Sequence, residues 1–243
     1  MNSGSYAACT GLRAQMQALE LVAHNLANLG TNGYRAEQPV FESMLAAQGA
    51  LLNPLNRAIN NYGVLGDSRV DLSSGSLERT GNLLDVGIEG GGFFVVQTAR
   101  GTRYTRNGNF TVSGKHQLTT ASGDLVLGEA GPIPVPAGTL AISADGTLSV
   151  DGAITGKLKI VEFAANSRLE SEGNSMYSAP ETGAVKARGS AVRQGVLEAS
   201  NVNPMAAMVA LIAVQRQAEM LQRTLSMFYS ELDHTAAGEL PRV

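Results

Sequence analysis

Glycine is spread so unevenly along this chain that it divides the sequence before any other feature is considered. Of 28 glycines, 22 lie between Gly63 and Gly195, while none falls between Leu12 and Leu29 or between Pro204 and Leu232. Glycine in a helix interior costs about 1 kcal/mol relative to alanine, so the two glycine-free terminal segments favour long helices. Periodicity agrees. Leu211, Val214, Ala218, Leu221, Leu225, Phe228 and Leu232 alternate spacings of three and four, an apolar seam of the coiled-coil kind. Cys9, Leu12, Met16, Leu19, Ala23 and Leu26 repeat it over a shorter span, with Cys9 read as a small buried hydrophobe. Arg13, Gln17 and Glu20 lie opposite the first seam, and Arg216, Glu219 and Arg223 opposite the second. Asn203-Pro204 reads as an N-cap followed by proline at the first helical position. A helix of about 28 residues, roughly 42 Å long, is expected to follow. The N-terminal helix is expected to stop near Asn28-Leu29, with Gly30 in the left-handed position after its end and Thr31-Asn32-Gly33 as a turn.

The middle has another rhythm. Leu84–Ile88, Phe93–Gln97, Asn109–Val112, Leu125–Leu127, Leu140–Ser143 and Leu158–Phe163 are short strand-like runs. Turn pairs separate them: Asn107-Gly108, Ser113-Gly114, Ser122-Gly123, Asp145-Gly146 and Asp151-Gly152. The segment from Glu42 to about Gly75 carries a weak pattern and reads as a linker. An isolated amphipathic helix is marginal in water, so the terminal stripes must be covered. They can pair with each other, pack on the β domain, or bury themselves against other subunits. Met205, Met208, Met220 and Met227 favour the last, since flexible thioethers suit surfaces that repack.

Chemistry is hard to find. A formal charge of −3, with no basic block, argues against a nucleic-acid partner. One cysteine rules out an intrachain disulfide and a cysteine-cluster zinc site. His24, His116 and His234 show no metal-ligand spacing. Gly90-Gly91-Gly92 is followed by the strand-like Phe93-Phe94-Val95-Val96, where a phosphate loop would open a helix. Asp145 and Asp151 read as turn formers, since the rest of a calcium loop is missing. No catalytic, cofactor or metal residue is assigned, and an enzyme is not expected. The first residues lack the basic start and apolar run of a cleaved signal peptide. The longest uncharged stretch, Ala199 to Gln215, is too short in its apolar part to reach the roughly 18 residues of a membrane span.

Four segments resemble the flagellar rod and hook protein family. The first is His24-Asn25-Leu26-Ala27-Asn28-Leu29-Gly30-Thr31-Asn32-Gly33-Tyr34, with His24 where the family usually has asparagine. Leu83-Leu84-Asp85-Val86-Gly87-Ile88-Glu89-Gly90-Gly91-Gly92-Phe93-Phe94 is the second, with Gly87 where alanine is common. Tyr104-Thr105-Arg106-Asn107-Gly108-Asn109-Phe110 and Gly195-Val196-Leu197-Glu198-Ala199-Ser200-Asn201-Val202-Asn203 complete the set, in the family's order. Leu127–Pro136 and Ile142–Thr147 look more like the proximal rod type, and Gly11–Gln15 more like the distal; the balance favours proximal.

The resemblance implies an α+β fold: an all-β middle domain with long N- and C-terminal helices that pair as a coiled coil. Expected boundaries are 1–34 for the N-terminal helix and turn, 35–79 for the linker, 80–195 for the β domain and 196–243 for the C-terminal helix. Leu12, Met16, Leu19, Leu26, Leu211, Val214, Ala218, Leu221, Leu225, Phe228 and Leu232 would form the polymerisation interface. The family signature comprises Asn25, Leu26, Ala27, Asn28, Thr31, Gly33, Tyr34, Ser200, Asn201, Val202 and Asn203; of these, Asn25, Asn28, Thr31 and Gly33 would shape the first helix end and its turn, and Ser200, Asn201 and Asn203 the start of the partner helix. The expected function is a structural subunit of the flagellar rod that transmits torque. Its partners would be copies of itself, other rod and hook proteins and the type III export apparatus, with no nucleic acid, no membrane insertion and no cleaved signal peptide. A secreted β-domain adhesin that oligomerises through its helices is the alternative. An envelope hydrolase is a third reading that lacks a catalytic constellation.

Overall fold

A computed structural model of the protein describes residues 3–42, 64–164, 167–180, 183–187 and 189–238. Helix α1 spans Ser3–Ala27 and ends where the loss of apolar period predicts. Strands β1 (Glu37–Glu42) and β2 (Val64–Val70) pair as a two-stranded sheet in a region read as linker; residues 43–63 of that linker lie outside the described residues. Then come β3 (Leu77–Arg79), β4 (Val86–Glu89), β5 (Phe93–Thr98), β6 (Gly101–Thr105), β7 (Phe110–Val112), β8 (Leu118–Thr120), β9 (Leu125–Gly128) and β10 (Gly131–Pro132). They are followed by β11 (Leu140–Ile142), β12 (Thr147–Val150), β13 (Ala153–Lys157), β14 (Ile160–Phe163), β15 (Glu170–Ser171) and β16 (Met176–Ser178). The last strands are β17 (Ala184–Lys186), β18 (Ala191–Gln194) and β19 (Val196–Glu198). Helix α2, Pro204–Gly238, closes the order with 35 residues, starting at the predicted proline.

Contacts divide the chain into two units. One comprises Met1–Leu26, Glu37–Ser68 and Pro204–Val243; the other comprises Ala27–Ala36 and Arg69–Asn203. The second unit is the β body. Its largest sheet runs β15-β16-β6-β5-β9-β8-β7, with β10 on β9 and β14 bridging β5 and β17. Small sheets β11-β12-β13, β18-β4 and β19-β3 complete it. Alternation is clearest in β9 and β12, where every second residue is buried. The β5 run Phe93–Val96 is covered on both faces. Phe94 and Val96 enter one core with Ile88, Phe110 and Leu148, and Phe93 and Val95 enter another with Tyr104 and Tyr177.

The turn chemistry explains the hairpins. Asp151 and Gly152 form the two-residue loop between β12 and β13 at φ 50° and 84°, as a type I′ turn requires. Before β12, the Asp145 carboxylate accepts Thr147 N–H at 3.1 Å and Thr147 Oγ1 at 2.8 Å, and it pairs with Lys157 Nζ at 2.9 Å. The Lys157 ammonium first, then the Thr147 donors, hold the Asp145 carboxyl down at about 2. A depressed acid contributes its stability above the ordinary value of 3.8 and loses it as pH falls towards 2. Its side-chain carbon resonance, followed by NMR, therefore titrates near 2, and Lys157→Ala moves that midpoint upward.

The expected coiled coil requires correction. Among the described residues, the substantial packing between elements is strand on strand, and no paired α1–α2 coiled coil is present beside the β-rich body. Side-chain size gives the reason. A coiled-coil seam seats large apolar knobs, yet Met16 is 52% exposed and Cys9 and Ala23 are exposed too. Among the described side chains of α1, the buried positions are Gly11, Ala14 and Ala18, one step round the helix and too small to serve as knobs.

Candidate functional site

The charged residues most deeply enclosed in the β body come from three distant parts of the chain. Arg35 follows the turn after α1, Arg106 follows β6, and Glu198 ends β19; all three side chains are fully buried. Glu198 lies between the guanidinium groups, with Arg35 Nη2 at 2.8 Å from Oε1 and Arg106 Nη1 at 3.0 Å from Oε2. Its Oε1 also accepts Gly75 N–H at 2.8 Å. Arg106 Nη2 donates to the Gly90 carbonyl at 2.6 Å, and the guanidinium carbon stands 5.0 Å from the Phe93 ring centroid. Burial pushes the Arg106 guanidinium down to about 10; Glu198 opposes the shift and Arg35 adds to it. Among the described residues, Nε and Nη1 of Arg35 and Nε of Arg106 find no hydrogen-bond acceptor. Within the cluster two cations face one carboxylate, and Glu162 is a weaker counter-charge to Arg106.

Backbone geometry fixes this cluster. Gly33 adopts φ +67° and donates its N–H to the Glu198 carbonyl at 2.7 Å. A Cβ on Gly33 would lie 2.3 Å from Asn107 N and 2.4 Å from the Arg106 carbonyl carbon. The left-handed glycine after α1 is thus Gly33, and Gly30, expected in that role, has no positive φ. Before it, Thr31 N–H donates to the Asn28 carbonyl at 3.2 Å and Thr31 Oγ1 to Asn28 Oδ1 at 3.1 Å. Tyr34 is buried, and Arg35 N–H donates to the Tyr177 hydroxyl at 2.9 Å.

Asn201 ties three chain segments together. Its Oδ1 accepts Ala36 N–H at 2.7 Å, and its Nδ2 donates to the carbonyls of Asp71 at 3.1 Å and Ser73 at 3.0 Å. Asn201 N–H reaches the Tyr34 carbonyl at 3.3 Å. Ser200 Oγ accepts Val202 N–H at 3.3 Å, which shapes the approach to α2 after Asn203. In the other unit, Asn25 makes a reciprocal pair with the Glu37 backbone: Nδ2 donates to Glu37 O at 2.7 Å and Oδ1 accepts Glu37 N–H at 2.9 Å. Leu26 is half-buried and Ala27, the last residue of α1, is exposed. The motif residues at the two ends of the chain therefore serve as hydrogen-bonding joints.

Two stretches of the chain match models of known protein families. Residues 87–150 match the flagellar hook protein FlgE/F/G D1 domain, and residues 193–228 match the flagellar basal body rod FlgEFG protein C-terminal region. The chain is 35% identical over 240 residues to flagellar basal-body rod protein FlgF of Salmonella typhimurium, covering 91% of this chain and 93% of that one. The chain belongs to the flagellar basal-body rod protein family. FlgF of Escherichia coli is also 35% identical, over 242 residues, with 91% and 93% covered. FlgG of Buchnera aphidicola from Acyrthosiphon pisum is 32% identical over 245 residues, with 89% and 92% covered.

Leu12, Leu19 and Leu26 are half-buried, while Met16 is exposed. On α2, Leu211, Val214, Ala218 and Leu221 are half-buried and Leu225 is buried; the side chains of Phe228 and Leu232 lie outside the described residues. Beside that stripe runs a wide apolar surface. Met205, Met208, Val209, Ile212, Met220 and Met227 are each 50–73% exposed. Among the described residues, no group of histidine, cysteine or acidic side chains is placed to hold a metal, and no helix is long and apolar enough to cross a membrane. Arg106 and Glu198 lie inside the sequence motifs with little local to mark a role, and Arg35 falls one residue beyond the first motif. The available signal was a charge beside apolar neighbours in each motif, as in Val196-Leu197-Glu198.

Proposed function

We propose that this protein is an axial structural subunit of the bacterial flagellar basal-body rod, in the proximal segment, and that it passes torque between neighbouring subunits. The observation that carries this reading is the colinear likeness to rod proteins over nine-tenths of the chain. In the rod, copies of this chain and other rod or hook proteins would be its neighbours, delivered by the type III export apparatus without signal cleavage. It is a structural protein and not an enzyme. The adhesin alternative is set aside, because the named relatives are rod proteins.

Mechanically, torque needs stiff subunits and many repeated contacts. The buried Arg35–Glu198–Arg106 cluster and the Asn201 clamp supply stiffness where the chain enters and leaves the β body. The apolar surfaces of α1 and α2, with the seam residues from Leu12 to Leu26 and Leu211 to Leu232, supply contacts to neighbouring subunits. Such contacts are heterologous and propagate without closing.

Electron cryotomography of basal bodies in a strain lacking only this chain tests the proposal. A missing or shortened rod with no hook is expected, and the height of the truncation locates the subunit. An intact rod and hook would overturn it. Ile212→Glu gives a second test, because Ile212 is 52% exposed. The variant keeps the wild-type melting temperature within about 2 °C, as surface substitutions shift stability by roughly 0.5 kcal/mol. Swimming in soft agar is nonetheless lost, because a carboxylate at a subunit contact must be desolvated.

A further inference from the structure

The chain has 14 arginines and only four lysines, and three of those lysines line one cleft. The cleft lies within the β body and encloses about 620 Å³, a volume suited to a bound ligand. Lys157 ends β13, Lys159 immediately precedes β14, and Lys186 ends β17. Ile160, Ala184 and Ala187 add a half-buried apolar lining over Val95, Tyr104 and Val161, which are already packed in the core. Two acidic residues share the rim. Lys157 Nζ stands 2.9 Å from Asp145 Oδ2, and Lys186 Nζ stands 2.8 Å from Glu129 Oε1. Lys159 is exposed and enters no ion pair among the described residues. Three ammonium groups against two carboxylates leave the cleft positive, on a chain whose formal charge is −3.

We propose that this cleft is a docking site for an acidic, partly apolar peptide segment of a partner protein. Its carboxylates meet the three lysines and its apolar side chains pack on Ile160, Ala184 and Ala187. Charge complementarity carries the choice of occupant. A lysine ammonium is a compact charge on a flexible stem that accepts a carboxylate from many directions, whereas arginine's fork suits phosphate. The protein places arginine in its buried ion cluster and lysine at this rim. Both existing rim pairs are solvent-exposed, with side-chain exposures from 39% to 77%. Such pairs are weak, so an arriving carboxylate can take over either lysine at small cost. The half-buried apolar lining favours a peptide over a polymer that offers charge alone. This site is additional to the rod reading, and a dilute monomer tests it independently of assembly.

The test is an NMR titration of the full ¹⁵N-labelled chain with a blocked hexapeptide alternating glutamate and leucine. Amide shifts confined to Lys157–Val161 and Ala184–Ala187 are expected, and binding weakens as salt rises. Lys159→Glu weakens binding by about tenfold, because it reverses the unpaired charge. Lys115→Glu, at the lysine outside the cleft, leaves it within about twofold. Circular dichroism identifies any variant that fails to fold, and Lys159→Gln then replaces Lys159→Glu. No shifts in these segments, equal binding of an all-glutamate peptide, equal loss with Lys115→Glu, or preference for a carboxylated polysaccharide such as polygalacturonate would each overturn the proposal.

Discussion

Glu198→Leu lowers the unfolding free energy by about 3–5 kcal/mol, the usual cost of leaving a buried ion without its counter-charge. With a urea slope of about 2–3 kcal/mol/M, the midpoint falls by roughly 1–2 M. Two charges are orphaned at once, because Arg35 and Arg106 both lean on the same carboxylate. Gly75 N–H loses its acceptor as well. The two guanidinium groups then repel each other from fully buried positions, where bulk solvent cannot screen them.

Arg106→Met is the informative contrast. It leaves Arg35 and Glu198 as a one-to-one pair, and methionine fills much of the vacated length. The losses are the bonds to the carbonyls of Ile88 and Gly90 and the contact with Phe93. Those amount to about 1–3 kcal/mol. Burial already holds the Arg106 guanidinium down at about 10, so keeping it charged inside carries a standing cost that the variant removes. Urea melts should therefore rank Glu198→Leu well below Arg106→Met. The reverse order would mean that the cluster is held by the packing of Arg106 and not by the carboxylate.

The difference between what was and was not legible in the sequence follows from range. Asp151-Gly152 announces its own turn, because the left-handed conformations it needs are a property of those two residues. Pro204 likewise announces the start of α2. The ion cluster joins Arg106 to a residue 92 positions away, and no local pattern marks that meeting. The seam of α1 failed for a subtler reason. Leu12, Met16 and Leu19 form one stripe, and Gly11, Ala14 and Ala18 form another about 100° round the helix. Periodicity finds both. Side-chain size favours the first, but the small-residue stripe is the buried one, and only tertiary contacts decide that.

Gly33→Ala is expected to cost about 3 kcal/mol or more, while Gly30→Ala is neutral or slightly stabilising. Both glycines stand in the turn after α1, three residues apart, so composition alone treats them alike. Gly33 combines two constraints. Its φ of +67° penalises any side chain, and a Cβ would sit 2.3 Å from Asn107 N, against backbone that cannot swing aside. To relieve the clash, the turn must move away from Asn107, which breaks the 2.7 Å bond from Gly33 N–H to the Glu198 carbonyl. Arg35, two residues on, would then lose its register with Glu198. A Cβ on Gly30 meets nothing within 4 Å, and its φ is not in the left-handed region, so alanine there only restricts the unfolded chain. Thermal melts of the two variants, beside Arg35→Met, separate the causes. If the turn acts through the ion cluster, Gly33→Ala and Arg35→Met combined cost less than the sum of their separate effects, by more than about 0.5 kcal/mol. Strict additivity would mean that Gly33 is required only by its own backbone, and that the turn and the cluster are independent joints.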